Sequence, residues 1–392
     1  MFSINTVEGC LGDLLQMKLA MRGHHTAQTT LLTLLDIESR IPKDHPIREV
    51  KRLVRAVFAQ LDSYFDDLYA DKGRASIPPE RLLGARVLAA LYSVRSDRQF
   101  SERLRYDLLF QWFLDINPDE LGALFDASTF SKNQERLLGH ATADVFFAQV
   151  VELARAGGWL SNEHFSVDGT LIEAWASMKS FRPKEEPPQG PGAGNGWEDF
   201  HGIKRSNATH QSTSDPEARL LRKGPGKEAK LCFAGHAAME NRSGLCVLFE
   251  VTPAVGVTES QTALAQIQEL AAREFEPKSV GADKGYHQRA FVQGCRAAGV
   301  APHVAEVKGR KVPGLDGRTK KRGYQTSQRL RKRIEEIFGW MKTIGGLRKT
   351  RYRGVERTHA CAQMVVATYN LLRLAKLAAQ AAAAPPPAPA GA

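Results

Sequence analysis

From Ile47 to Phe65 the apolar positions Ile47, Val50, Leu53, Val54, Val57, Leu61 and Phe65 recur at threes and fours. That is the spacing of one face of an α-helix. Pro78 and Pro79 open a second helix, Arg81 to Val94, which turns Leu83, Val87, Leu88 and Leu91 inward. Short helices continue from Phe100 to Leu114, and an amphipathic helix spans Ala141 to Gly157. The period then changes. A short apolar run ends at Asp168, and two strands, Ala229 to His236 and Leu245 to Val251, flank the turn-rich Glu240–Gly244. Thr258 and Gln261 form a capping box for a helix to about Phe275. A strand at Ser279–Ala282, a helix from about Gln288 to Ala298, a short strand at Val300–Val304, and helices at Ser327–Thr343 and Thr358–Lys376 complete the pattern. The pattern predicts an all-helical N-terminal domain followed by an α/β domain.

Three stretches fall outside it. Residues 1–43 are weakly patterned apart from the cluster Leu31, Leu32, Leu34 and Leu35. Pro183 to Gly196 holds four Pro and four Gly, too few apolar residues to pack, and reads as a mobile loop within an insert at about 181–228. The Ala/Pro-rich end, 377–392, reads as a disordered tail. The divisions expected are therefore 1–43, a helical domain 44–157, a second domain 158–376, and the tail.

Charge sharpens this outline. Against 54 Lys and Arg stand 43 Asp and Glu, a formal +11. Lys308 to Arg353 alone carries sixteen basic and three acidic residues, a net +13, so the rest of the chain sums to −2. A basic excess confined to one segment points to a polyanionic partner there. The five cysteines are scattered without a C-x-x-C pair, which suits a reduced cytoplasm. No apolar run reaches membrane-spanning length. His201, His210, His236 and Cys232 have no zinc-site spacing.

The candidate chemistry lies in three carboxylates. Asp168 ends an apolar run and is followed by Gly169, which permits a tight exit from a strand; alone, Asp-Gly is a turn dipeptide. Asp283 ends the Ser279–Ala282 strand and is followed by Lys284, Gly285 and Tyr286. The third comes from the helix at 327–343. With Arg331 at 0° and about 100° per residue, Glu335 falls near 40° and Lys342 near 20°. Leu330, Ile334, Ile337, Phe338, Met341 and Ile344 then span about 220° to 340° as the packing face. Glu336, near 140°, is set aside. Alone, Arg331 and Glu335 make an ordinary i,i+4 pair. Together the three suit Mg²⁺, which takes hard oxygen ligands and is held by one or two carboxylates plus phosphate oxygens.

These residues resemble the bacterial insertion-sequence DDE transposases with an InsH-like N-terminal domain. VDGT around Asp168, ADKGY around Asp283, and the Arg331, Glu335, Lys342 spacing carry the resemblance. Gln328 stands where that signature has a Tyr. The resemblance implies an RNase H-like core, a mixed sheet flanked by helices, and the element order agrees with it. It implies two Mg²⁺ ions, with Mn²⁺ able to substitute, on Asp168, Asp283 and Glu335, and DNA strand cleavage at element ends followed by strand transfer.

Arg331, Lys342, Lys284, Tyr286 and the run Arg348, Lys349, Arg351 and Arg353 are the expected DNA contacts. The resemblance implies double-stranded DNA as the partner, both terminal inverted repeats and target, met by a homodimer in the cytoplasm at the bacterial nucleoid, with no membrane attachment expected. In the helical domain, Leu124 to Gly139 has a helix-turn-helix look, with Asp126 or Ser128 as N-cap and Ser131, Lys132, Asn133 and Arg136 outermost. The other readings are a structure-selective nuclease on the same core and a non-catalytic DNA-binding protein.

Overall fold

The computed structural model describes residues 36–68, 76–117, 124–139, 141–184, 205–222, 224, 226–255, 258–315 and 321–383. Residues fall into two units, 1–40 and 41–392. In the first, the described residues form the single turn Ile37–Arg40. The leucine cluster at Leu31–Leu35 lies outside the described residues.

The second unit opens with helices α1 (Pro46–Gln60), α2 (Asp62–Asp67), α3 (Pro79–Leu91), α4 (Asp97–Leu104), α5 (Leu108–Phe113), α6 (Ala127–Gly139) and α7 (Thr142–Ala156). The threes-and-fours pattern is what packs them: Ile47, Val50, Leu53, Val54, Val57, Leu61 and Phe65 are all buried. Asp126 caps α6, its Oδ1 accepting from the Thr129 N–H at 2.8 Å, and these bonds pull its carboxyl down to about 2.

The sheet is built from β1 (His164–Glu173), β5 (Ala229–Glu240), β6 (Cys246–Pro253), β7 (Ser279–Ala282) and β8 (Ala301–Val304). The short β2 (Phe181–Pro183) and β3 (His210–Ser212) pair separately, and β4 (Arg219–Arg222) adds to the start of β5. Strand order runs β4-β5-β1-β7-β8, with β6 also on β5. β5 is antiparallel to β1 and β6, whereas β7 is parallel to β1 and to β8. Two antiparallel hairpin neighbours on one side of β1 and two parallel crossovers on the other make an RNase H-like sheet. Helices α8 (Thr258–Ala272) and α9 (Arg289–Ala297) supply the crossovers.

The last elements are α10 (Arg322–Arg331), α11 (Ile334–Thr343) and α12 (Val355–Ala383). Helix α12 packs against α7, α1, α3 and β6, so it ties the helical layer to the sheet. Its buried Asn370 completes the β6 edge, accepting from Cys246 N–H at 3.0 Å and donating to Cys246 carbonyl at 2.7 Å.

Four expectations change. The strand holding Asp168 does not end there: β1 runs on to Glu173, because β5 pairs with it from Phe165 to Glu173. The helix expected at 327–343 is two helices, broken at Lys332–Arg333. Lys332 and Arg333 keep αR backbone angles, but the hydrogen bonding tightens there, Arg333 N–H donating to the Leu330 carbonyl at 3.0 Å, while the Arg333 guanidinium donates to the carbonyls of Asn241 at 3.2 Å and Arg242 at 3.0 Å. The insert at 181–228, read as loop, carries β2, β3 and β4 in its described part, while 185–204 lies outside the described residues. Helix α12 continues through the alanines to Ala383, since alanine is the best helix former and proline begins only at Pro385.

His236 on β5 sets a pH limit on this core. It is 2% exposed, its Nε2 lies 2.9 Å from Thr252 Oγ1, and burial pushes its pKa down to about 4 from 6.5. The fold thus favours neutral imidazole. As pH falls below 6.5 the unfolded chain takes up a proton that the folded chain refuses until about 4, so stability is lost across that window. The loss amounts to about 3 kcal/mol at 1.36 kcal/mol per unit. Urea melts at pH 7.5 and 4.5 should show a smaller fall for His236→Gln than for wild type. Equal falls would remove His236 as the cause.

Candidate active site

The two aspartates meet because of register. In the parallel pair, His164 lies opposite Ser279 and Ser166 opposite Gly281, so the same offset sets Asp168 level with Asp283. Side chains at one level of a parallel pair share a face, here the face covered by α10. Gly281 permits that cover: a Cβ there would stand 2.9 Å from Ser327 Oγ on α10 and 3.0 Å from Ser166 Oγ. Strand β7 stops at Ala282 while β1 continues, so the sheet forks at the level of the two carboxylates.

Asp168 Oδ1 accepts from the Gly169 N–H at 2.9 Å, and Asp283 Oδ1 accepts from the Gly285 N–H at 2.6 Å. Arg331 Nη1 stands 3.9 Å from Asp168 Oδ2, with both side chains largely buried. Burial pushes the Asp168 carboxyl up to about 7; the Gly169 N–H opposes this, Asp283 adds to it, Arg331 lowers it, and Glu259 raises it further. Glu259, in the first turn of α8, is itself raised, by partial burial and then by Asp283. Two hard-oxygen carboxylates that resist sharing negative charge fit a divalent cation, which one or two carboxylates suffice to hold beside phosphate oxygens. Among the described residues no group of three or more His, Cys, Asp or Glu is already gathered closely enough to hold a metal ion.

The other expected residues take varied places. Gln328 is turned to the sheet: its amide donates to the carbonyl of Ala282 at 3.1 Å and to that of His303, clamping the ends of β7 and β8. Glu335 is exposed in the first turn of α11, separated from Arg331 by the αR turn Lys332–Arg333. Lys284 is exposed beside Asp283. Tyr286, expected at the DNA surface, is 2% exposed, packs on Phe291, and donates to Glu259 Oε1 at 3.3 Å. His287 beside it is likewise buried.

The basic run attaches to the far end of β1. Glu173 donates to the Arg348 carbonyl at 3.0 Å, and Thr350 donates back to the Glu173 carbonyl at 2.8 Å. That places Arg348 and Lys349 five residues beyond Asp168, about 17 Å along the strand. Both are exposed and, with Lys342, Trp175 and Tyr352, line a cavity of about 420 Å³ between α3 and α12. Arg351 turns inward instead, donating to Asp97 Oδ1 at 3.2 Å and to the Arg95 carbonyl. In α6, Ser131 donates to Asp97 at 2.7 Å and Asn133 donates to the Thr129 carbonyl at 2.9 Å, while Lys132 is exposed.

Sequence reasoning passed over Glu259 and Trp175. The signal for Glu259 was an acidic residue opening the helix after the third long strand, which the helix dipole alone explained; for Trp175, half exposed, it was a large ring in the short EAWAS stretch.

An RNase H-like sheet with two level carboxylates at its fork defines the class, an enzyme of phosphoryl transfer. Residues 159–371, more than half of the chain, match the family described as Transposase DDE domain, and residues 35–136 match Transposase domain (DUF772). The chain belongs to the DDE transposases, a family that catalyses DNA strand cleavage and transfer with divalent metal. No curated protein matches it. Among solved structures it is similar to a piggyBac transposase synaptic complex with hairpin DNA, at 9% identity over 86% of this chain and 76% of that one, TM-score 0.38. A Mos1 mariner paired-end complex with Mn shows 11% identity over 76% and 88%, TM-score 0.19. Such scores add nothing to the fold. No helix among the described residues is long and apolar enough to cross a membrane.

Proposed function

We propose that Asp168, Asp283 and Glu335 hold two Mg²⁺ ions, replaceable by Mn²⁺, for cutting the ends of an insertion sequence and joining them to target DNA. The level placement of Asp168 and Asp283 beneath Arg331 carries this reading. When bound, such ions activate an attacking oxygen and stabilise the leaving one in an in-line displacement. The chain's own part is to hold the two aspartates at one level by register and to set Arg331 and Lys284 where phosphate oxygens arrive. Lys342, Arg348, Lys349 and Arg353 then follow the DNA backbone away from the scissile bond without reading sequence.

In this reading 44–157 grips the terminal inverted repeats and 158–376 carries the chemistry. Two chains act together, in the reduced cytoplasm of a bacterium; the free thiols Cys232, Cys246, Cys295 and Cys361 suit that setting. Glu335, exposed in the first turn of α11, is the member to test. Cleavage and joining of DNA bearing the gene's flanking repeats should be lost in Glu335→Gln and kept in Glu336→Gln, with binding retained in both. Full activity of Glu335→Gln would remove that residue from the site.

A further inference from the structure

We infer that Glu259 is a further cation-facing carboxylate of this site, set beside Asp168 and Asp283 by Gly169 and Tyr286; this rests on the reading that the two aspartates hold divalent cations. The position of Gly169 is the first support. A Cβ built there would collide with Glu259 Oε1 and stand 3.0 Å from Glu259 Cδ. Gly169 lies within β1, and its φ is outside the left-handed region, so backbone freedom does not account for the glycine. What the missing side chain provides is room for a carboxyl to lie against the strand one residue from Asp168.

Tyr286 is the second support. It follows Asp283 by three residues, its ring is buried against Phe291 at 5.1 Å between centroids, and its hydroxyl donates to Glu259 Oε1 at 3.3 Å. A fixed ring with one hydroxyl on one oxygen orients the carboxylate and uses one of its roughly four lone-pair sites. Tyr286 is thus a positioning residue.

The fork of the sheet explains how Glu259 shares a site with residues on the opposite face. Gly169 points away from the α10 side, where Asp168 points. Beyond Ser166, however, β1 has no β7 beside it. At the level of Asp168 and Asp283 the space is therefore open to both faces, and α8 delivers Glu259 from one as α10 delivers Arg331 from the other. Each cation needs one or two carboxylates, so a pair of ions has use for a carboxylate beyond two aspartates, whether or not Glu335 joins them.

The test is Mn²⁺ binding to the full chain, read by electron paramagnetic resonance of the free ion, without DNA or turnover. Glu259→Gln should weaken Mn²⁺ binding at least about tenfold, and Tyr286→Phe by a smaller factor. Glu259→Asp keeps the charge and retracts it by one methylene, and should weaken binding as Gln does. Thermal melts of the metal-free variants should match or exceed wild type, because Gln removes one of three crowded negative charges. Wild-type affinity in both Glu259 variants, with affinity lost in Asp168→Asn, would overturn the inference and leave the underlying reading intact. Wild-type affinity in Asp168→Asn as well would overturn both. Should Glu259→Gln not fold, the Asp variant decides alone by the same criterion.

Discussion

At pH 8, Asp168→Asn should lose metal-dependent strand cleavage by on the order of 10³, the rate equivalent of several kcal/mol of transition-state charge stabilisation, while its metal-free fold becomes more stable. The two effects share one origin. Burial first, and Asp283 among the further causes, hold the Asp168 carboxyl at about 7, against 3.8 for the free group. Between those values the folded chain keeps a proton that the unfolded chain has released, so folding stability falls as pH rises through the window. Above pH 7 the whole penalty stands, up to about 4 kcal/mol at 1.36 kcal/mol per unit. Asn keeps the Gly169 N–H acceptor and carries no charge. Its stabilising effect should therefore be largest at pH 8 and shrink at pH 5, and added Mg²⁺ should raise the melting temperature of wild type more than that of the variant. A metal-free variant that melts below wild type at pH 8 would show that crowded negative charge is not what this cleft stores.

Much of the fold was legible because two periodicities carry it. The Ile47–Phe65 stripe, the 229–236 and 245–251 strands and the Ser279–Ala282 run all became elements within a few residues of where the pattern set them. What escaped were features decided by partners distant in sequence. The apolar run to Asp168 looked finished because Gly169 and Thr170 follow; β5 extends it by supplying a partner for every residue to Glu173. The helix at 327–343 looked continuous because its apolar stripe is. Yet Arg329, Arg331, Lys332 and Arg333 put four cations in five positions, and the hydrogen bonding tightens to three residues back where the Arg333 guanidinium reaches the carbonyls of Asn241 and Arg242. The two aspartates were readable from strand-end motifs, although their equal height came only from the offset between β1 and β7. Glu259 was invisible for another reason: a carboxylate in the first turn of a helix already has a sufficient explanation in the helix dipole.

Charge counting had a similar limit at Arg351. Sixteen cations in one segment indicate a polyanion site, but a count cannot tell an exposed guanidinium from one holding the protein together. Asp97 receives Arg86 Nη1 at 2.8 Å, Arg351 Nη2 at 3.2 Å and the Ser131 hydroxyl at 2.7 Å. Burial resists the ionisation of Asp97, yet the hydrogen bond from Arg86 and the charges of Arg86 and Arg351 prevail, so its carboxyl is held below the ordinary value.

This cluster joins α4, α3 and α6 of the helical layer to the basic segment that lies on the end of β1. Removing the shared acceptor leaves two guanidinium groups, 11% and 31% exposed, facing each other without the carboxylate. Asp97→Ala should therefore destabilise the protein by about 3 kcal/mol, at the lower end for breaking a buried ion pair because water reaches part of this one. Arg351→Ala should cost less, since Asp97 keeps Arg86 and Ser131, and a double-mutant cycle between Asp97 and Arg351 should report a coupling rather than additivity.

The same geometry separates Arg351 from its neighbours in DNA binding. Neutralising Lys349 or Arg353 should lower the slope of log affinity against log salt by about one each. Neutralising Arg351 should leave that slope where it is, because its charge is already engaged by Asp97. An Arg351→Ala slope reduced as much as that of Lys349→Ala would mean that DNA competes Asp97 away, and the joint between the helical layer and the sheet would then open on binding.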